Sequence, residues 1–327
     1  MKIHPIHHTV AALIFTSNVA HAGFRNFQAA HLVPGRTSGA VSVMKGTSAV
    51  VVDPVSQKVF VCDSGNHRVL RFGTVAFLTG GSAAEAVFGQ TTLFSTFLRG
   101  GADGMTRPQD VVVDASGTLW VADEHRVLRF DQAATKPSSS PADGVMGQVD
   151  FTTTSTGVSS SVMLAPSGLA VSGTTLYVSD YEANRMLRFD NAATKSNGAA
   201  AQAVFGQASF TAISADVTAS RFNQPQGLAV DPSGTETLWV ADQSNHRVLA
   251  FANVTTATVN PGATRVLGQT TFTGKIGVTP PTFGRTRSWS ACKISSACGS
   301  SRPEMPSDSL HLNFPILSFG FLHAPLW

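Results

Sequence analysis

One short pattern is written four times along this chain. It reads Val59-Phe60-Val61-Cys62-Asp63, Leu119-Trp120-Val121-Ala122-Asp123, Leu176-Tyr177-Val178-Ser179-Asp180 and Leu238-Trp239-Val240-Ala241-Asp242, with the aspartates 60, 57 and 62 residues apart. A second block follows each copy: Asn66-His67-Arg68-Val69-Leu70-Arg71-Phe72 and its counterparts ending at Phe130, Phe189 and Phe251. A third comes as Phe88-Gly89-Gln90, Met146-Gly147-Gln148, Phe205-Gly206-Gln207 and Leu267-Gly268-Gln269. Apolar runs such as Val111-Val112-Val113-Asp114 precede the aspartate block. Self-similarity at a fixed period marks a supersecondary unit that buries its apolar surface against copies of itself.

The segments read as strands. They are short, rich in β-branched and aromatic residues, and bounded by turn signals such as Ser116-Gly117, Ser233-Gly234 and Ser64-Gly65. Four extended segments per unit, repeated around an axis, describe an all-β propeller whose blades bury their apolar faces and expose few edges. A β-helix needs far shorter repeats, and the Leu/Asn spacing of a leucine-rich solenoid is absent. Composition agrees: 43% of residues are hydrophobic and only 13% charged, about half the usual charged fraction.

The Asp-Ser-Gly-Asn-His-Arg-Val-Leu-Arg-Phe block at 63–72, with its partners at Asp123, Asp180 and Asp242, resembles the NHL-repeat family of β-propellers. The resemblance covers about Val50 to Phe272. It implies four-stranded blades, six of them around a central channel in typical members. Units near 60 residues exceed the roughly 40–45 of common propeller repeats, as in long-repeat bacterial and surface-protein variants. The extra length is the Asp190 to Lys195 type of connection.

Four units are recognisable, at about 46–94, 106–151, 164–210 and 223–272, within a propeller region of 23–284. A fifth should begin just after residue 283, where the chain instead reads Thr286-Arg287-Ser288-Trp289-Ser290-Ala291-Cys292. Residues 285–327 are read as a non-repeat tail or as the product of a truncation or frame shift, and an incomplete ring is expected to self-associate. Residues 1–22 read as a signal peptide, with an apolar stretch from Val10 to Phe15 and a small-x-small triplet at Ala20-His21-Ala22. A secreted, surface or periplasmic protein without a transmembrane segment is expected. Cys62 sits in a column of small residues, and Cys292 and Cys298 are close enough in sequence to pair.

The repeated polar residues are the candidate site: Asp63, His67 and Arg68; Asp123, His125 and Arg126; Asp180, Asn184 and Arg185; Asp242, His246 and Arg247. A histidine ring invites a metal reading, but equivalent positions on separate blades converge only near the axis. Aspartate and arginine flanking a tight turn satisfy turn amides and fix register. Catalysis would need one unit to differ from the others, so recurrence favours a structural role for all of them. On that reading Arg185→Ala is expected to cost roughly 1–3 kcal/mol. No nucleophile elbow, His-Glu-x-x-His or phosphate loop is present. Net charge is +3, too little for a nucleic-acid footprint. The expected function is binding of a protein, peptide or glycan, with no cofactor required. The alternative is a lyase or hydrolase using a divalent metal in the channel.

N-terminal sequencing of exported protein should start at Gly23. Recovery of intact Met1 material only from the cytoplasm would count against the signal.

Overall fold

The structure, a computed structural model, describes residues 44–231 and 236–275. Residues 1–22, Cys292, Cys298 and the tail at 285–327 lie outside the described residues. Four antiparallel four-stranded sheets make up the fold. The first holds β1 (Thr47–Val52), β2 (Lys58–Asp63), β3 (Arg68–Thr74) and β4 (Ala86–Phe88). The second holds β5 (Pro108–Val113), β6 (Leu119–Asp123), β7 (Arg126–Phe130) and β8 (Gly144–Met146). The third is β9 (Pro166–Ser172), β10 (Thr175–Asp180), β11 (Arg185–Phe189) and β12 (Ala203–Phe205); the fourth is β13 (Pro225–Asp231), β14 (Thr237–Asp242), β15 (Arg247–Phe251) and β16 (Arg265–Leu267). Strands pair in chain order within each sheet, as the blades of a β-propeller do. Among the described residues no helix is long and apolar enough to cross a membrane.

The inner strands β1, β5, β9 and β13 pack against one another in succession. Each opens with a register irregularity, and β5, β9 and β13 begin on a proline at that point. Proline lacks the N–H that a ladder needs, so it fits the first residue of a strand beside a bulge. The outer strands β4, β8, β12 and β16 have three residues each, which keeps the exposed edge short.

Strand alternation then divides each blade into two apolar faces. In the second blade Val111, Val113, Leu119, Val121, Leu128, Phe130 and Val145 face the first blade and meet Phe60, Cys62, Val69 and Phe88. Val112, Trp120, Ala122, Val127 and Met146 face the third, where Leu169, Leu176, Val178, Leu187, Phe189 and Val204 wait. Tyr177, Met186 and Phe205 repeat the arrangement against Leu228, Leu238, Val240, Leu249 and Phe251. The recurring aromatic of the aspartate block is thus an interblade wedge in blades one to three. In the fourth blade its counterpart Trp239 is only half-buried. Leu267 is 51% exposed where Phe205 is fully buried. Contacts as extensive as β9 with β13 do not occur between β13 and β1. The described residues therefore form four consecutive blades.

The Phe-Gly-Gln block turns the chain out of the blade. Gly89, Gly147, Gly206 and Gly268 all take φ of +82 to +84°, a conformation that side chains strain. A Cβ on Gly89 would lie 2.5 Å from Met105 Cγ, one on Gly147 2.9 Å from Met163 Cγ, and one on Gly206 would strike the Phe222 ring. Each glycine therefore lets a buried side chain from the following crossover pack on the blade edge. At Gly268 the nearest atom is only the His246 carbonyl oxygen, at 3.1 Å.

Gly147→Ala should destabilise the protein by about 2–4 kcal/mol, combining backbone strain with overpacking. Gly268→Ala should cost less, about 1 kcal/mol from the backbone alone. Urea unfolding of the two variants checks the difference, and equal losses would contradict the packing role.

Candidate functional site

Each repeated aspartate is the last residue of the second strand in its blade, directly opposite the first arginine of the third strand. This register places carboxylate and guanidinium together at the turn. In the third blade Asp180 and Arg185 are both 0% exposed at the side chain and meet at 2.8 Å. The other pairs are Asp63–Arg68 at 2.7 Å, Asp123–Arg126 at 3.1 Å and Asp242–Arg247 at 2.7 Å. Asp123 and Arg126 are three residues apart instead of five because their turn is shorter.

The rest of each arginine binds backbone. Arg185 donates from Nη1 to the Ser159 carbonyl at 3.0 Å and the Phe210 carbonyl, and from Nη2 to Val162 at 2.7 Å. It therefore ties its turn to the crossover before the blade and to the crossover after it. Arg126 does the same with Gly101, Gly104 and Phe151, and Arg247 with Thr218, Arg221 and Phe272. Arg68 reaches Leu93 at 2.5 Å. The aspartates use their other oxygen on crossover amides: Asp123 accepts from Thr106 and Arg107, and Asp180 from Leu164 and Ala165. Asp63 accepts from Lys45 and Asp242 from Asn223. Burial pushes the Asp123 carboxyl up against the pull of Arg126, and the Asp242 carboxyl up against its bonds from Asn223, Asn245 and Arg247. Removing charges from water costs energy that the ion pair returns only in part. These clusters thus fix geometry more than they add stability.

The histidine column joins blades. His67 bonds through Nδ1 to the Thr106 carbonyl, and His125 to the Leu164 carbonyl at 2.5 Å, each reaching the end of the next crossover. Asn184 makes the equivalent link, its amide oxygen accepting from Gln224 N at 2.8 Å and its amide donating to Ile213. His246 is exposed and makes no such bond among the described residues. Side-chain role and backbone role part company in the second blade. The left-handed turn residue is His67, Asn184 or His246 in the other blades, but Glu124 in the shortened turn. The column's members do not converge, and among the described residues no three His, Cys, Asp or Glu side chains gather as a metal site.

A second arginine column acts beside the first. Arg71 donates to the Ala133 and Lys136 carbonyls, Arg129 to Ala193 and Lys195, and Arg188 to Val254 and Ala257, always across to the following blade. The sequence signal was visible as the second Arg of each Arg-x-x-Arg-Phe run and as its replacement by Ala250 in the fourth. Gln90, Gln148 and Gln207, fully buried, complete the scaffold by donating to the turn carbonyl 23 residues earlier and the crossover carbonyl seven residues later. Cys62 is packed in the first interblade core, and burial pushes its thiol up to about 12, so it stays protonated.

Among the described residues the acids on the inner strands are Asp110 and, at the far end of β13, Asp231. Asp110 accepts the N–H of Val111 at 2.8 Å and, across the blade boundary, of Leu169 at 2.8 Å.

Residues 44–274 match the model of a family described as the SMP-30/Gluconolactonase/LRE-like region. Among solved structures, Kuenenia stuttgartiensis hydrazine synthase is similar to 68% of this chain at 14% identity and a TM-score of 0.42, the match spanning 50% of that chain. No curated protein matches the sequence.

Because Arg185 and Asp180 are fully buried, Arg185→Ala should cost about 3–5 kcal/mol, more than the sequence alone suggests. Arg188→Ala, which orphans two carbonyls of the next blade, should cost about 1–3 kcal/mol. Chemical unfolding measures both, and a change within about 0.5 kcal/mol at either would make that arginine an ordinary surface residue.

Proposed function

Since the chain belongs to the SMP-30/Gluconolactonase/LRE-like family, we propose that its NHL-type repeats serve as an extracytoplasmic scaffold binding a protein, peptide or glycan. The Met1 to Ala22 sequence supports the location, and the crossover loops supply the binding face. The observation that carries this reading is the engagement of the repeated charges. Every repeated Asp–Arg pair binds crossover backbone through both members, so these charges are engaged by the frame itself. What differs between copies is the crossover sequence, and residues held by a rigid frame on variable loops are where binding sites reside. The modest net charge of +3 gives no support to nucleic acid as partner.

The family match favours a second reading, a metal-dependent hydrolase acting at the inner strands. A divalent metal needs several oxygen or nitrogen donors aimed at one point. Asp110 has both oxygens on backbone amides, and no cluster of three acidic, His or Cys ligands exists among the described residues. The donors among the described residues do not fit such a metal.

The two readings separate on purified full-length protein. The scaffold should carry no stoichiometric divalent metal by elemental analysis and should hydrolyse a sugar lactone no faster than buffer, while retaining members of a peptide or glycan array. Lactone hydrolysis abolished by a chelator and restored by metal would overturn it.

A further inference from the structure

The crossover from β4 to β5 breaks the pattern of its sister loops. Counted from the buried glutamines, its Phe94, Phe97 and Leu98 stand where the second loop has Thr152, Ser155 and Thr156 and the third has Thr211, Ser214 and Ala215. The three apolar side chains are 73%, 75% and 64% exposed. The frame holds them there. Gln90 grips the Phe97 backbone by both polar groups, donating to its carbonyl at 2.6 Å and accepting its N–H at 3.3 Å. Arg68 fixes the Leu93 carbonyl, the Thr92 hydroxyl accepts the Phe94 N–H, and the Arg99 N–H closes on Met105. A braced loop that presents two phenylalanines and a leucine to water, where its sisters have threonine, serine or alanine, carries an unmet apolar surface.

Charge around the loop is also distinct. Lys45, whose carbonyl accepts Gly65 N–H in the adjoining turn, and Arg107, whose N–H caps Asp123, are both exposed. Neither is in an ion pair among the described residues, whereas Asp103 is held by Arg99 at 2.7 Å. The sister loops carry exposed acids, Asp150 and Asp216, at positions where this loop has Thr92 and Arg99. Glu124 on the next turn is exposed too, so the cations set preference while the apolar side chains supply the attraction.

We propose that this loop docks on an anionic lipid surface, Phe94, Phe97 and Leu98 entering the acyl boundary and Lys45 and Arg107 meeting the headgroups. Three side chains on one loop fall well short of the roughly 800 Å² per partner that a stable protein interface needs. A lipid interface accepts a small apolar tip flanked by cations. This docking goes beyond the scaffold reading and holds whatever ligand the other crossovers bind.

Co-sedimentation of the full chain with vesicles of phosphatidylcholine mixed with phosphatidylglycerol, and with phosphatidylcholine alone, tests it. Binding should favour the mixed vesicles. The triple variant Phe94→Thr/Phe97→Ser/Leu98→Thr should lose at least about tenfold in partitioning while keeping the wild-type melting temperature. Lys45→Ala and Arg107→Ala should each lose roughly fivefold, on anionic vesicles only. Phe77→Ser, on a different loop, should bind as wild type. No vesicle binding by the wild type, or binding that the triple variant retains, would overturn the proposal, as would a loop that recognises only a peptide or protein.

Discussion

A buried guanidinium at each blade turn is the interaction on which the rest depends. A propeller must join the outer strand of one blade to the inner strand of the next by a long crossover, whose backbone amides and carbonyls have no ladder to enter. Unpaired, such groups cost more than most single contacts return. Arginine answers this with a rigid fork of five donors. Arg126, Arg185 and Arg247 each join one carboxylate to carbonyls on two crossovers. The aspartate opposite supplies acceptors for the crossover amides. One ion pair per blade thereby sets turn, entry loop and exit loop together, and the glycine and glutamine of the third block fit around it.

That economy decides where function sits. Residues repeated in every blade serve the blade, and the metal reading of the histidine column gives way to carbonyl bonds across blade boundaries. Chemistry specific to this protein belongs where copies differ: the crossover loops, the inner-strand Asp110, and the half-buried face of the fourth blade. That blade differs in several ways at once. Ala250 replaces the second arginine, and among the described residues His246 makes no bond to a crossover and the Trp239 wedge stays half-buried. Its outward face is chemically that of the second blade, where Trp120, Ala122 and Val127 are covered by the third.

Much of this was legible in the residues. Alternation at Leu119 to Asp123 fixes which side chains face which blade, so four sheets, their order and their interblade aromatics follow from period and pattern. The crossovers were not legible. Met105, Met163 and Phe222 occupy one structural position, each 16 residues after its glycine, but the crossovers around them share too little sequence for that spacing to mark a packing site before the contact is seen. The depth of the Asp–Arg clusters was also hidden, because spacing across a hairpin is the same for a buried pair as for an exposed one. At His125 a shorter turn passes the left-handed conformation to Glu124, so a shared column does not by itself fix a shared backbone conformation.

Hydrogen exchange on Arg185→Lys tests most directly whether one guanidinium governs two crossovers. Lysine keeps the charge beside Asp180 but cannot hold three carbonyls at once. The account predicts lost amide protection in both 149–165 and 208–224, with the crossover at 91–107, served by Arg68 and Arg126, protected as before. Protection lost only within the 180–185 turn, with both neighbouring crossovers unchanged, would contradict it.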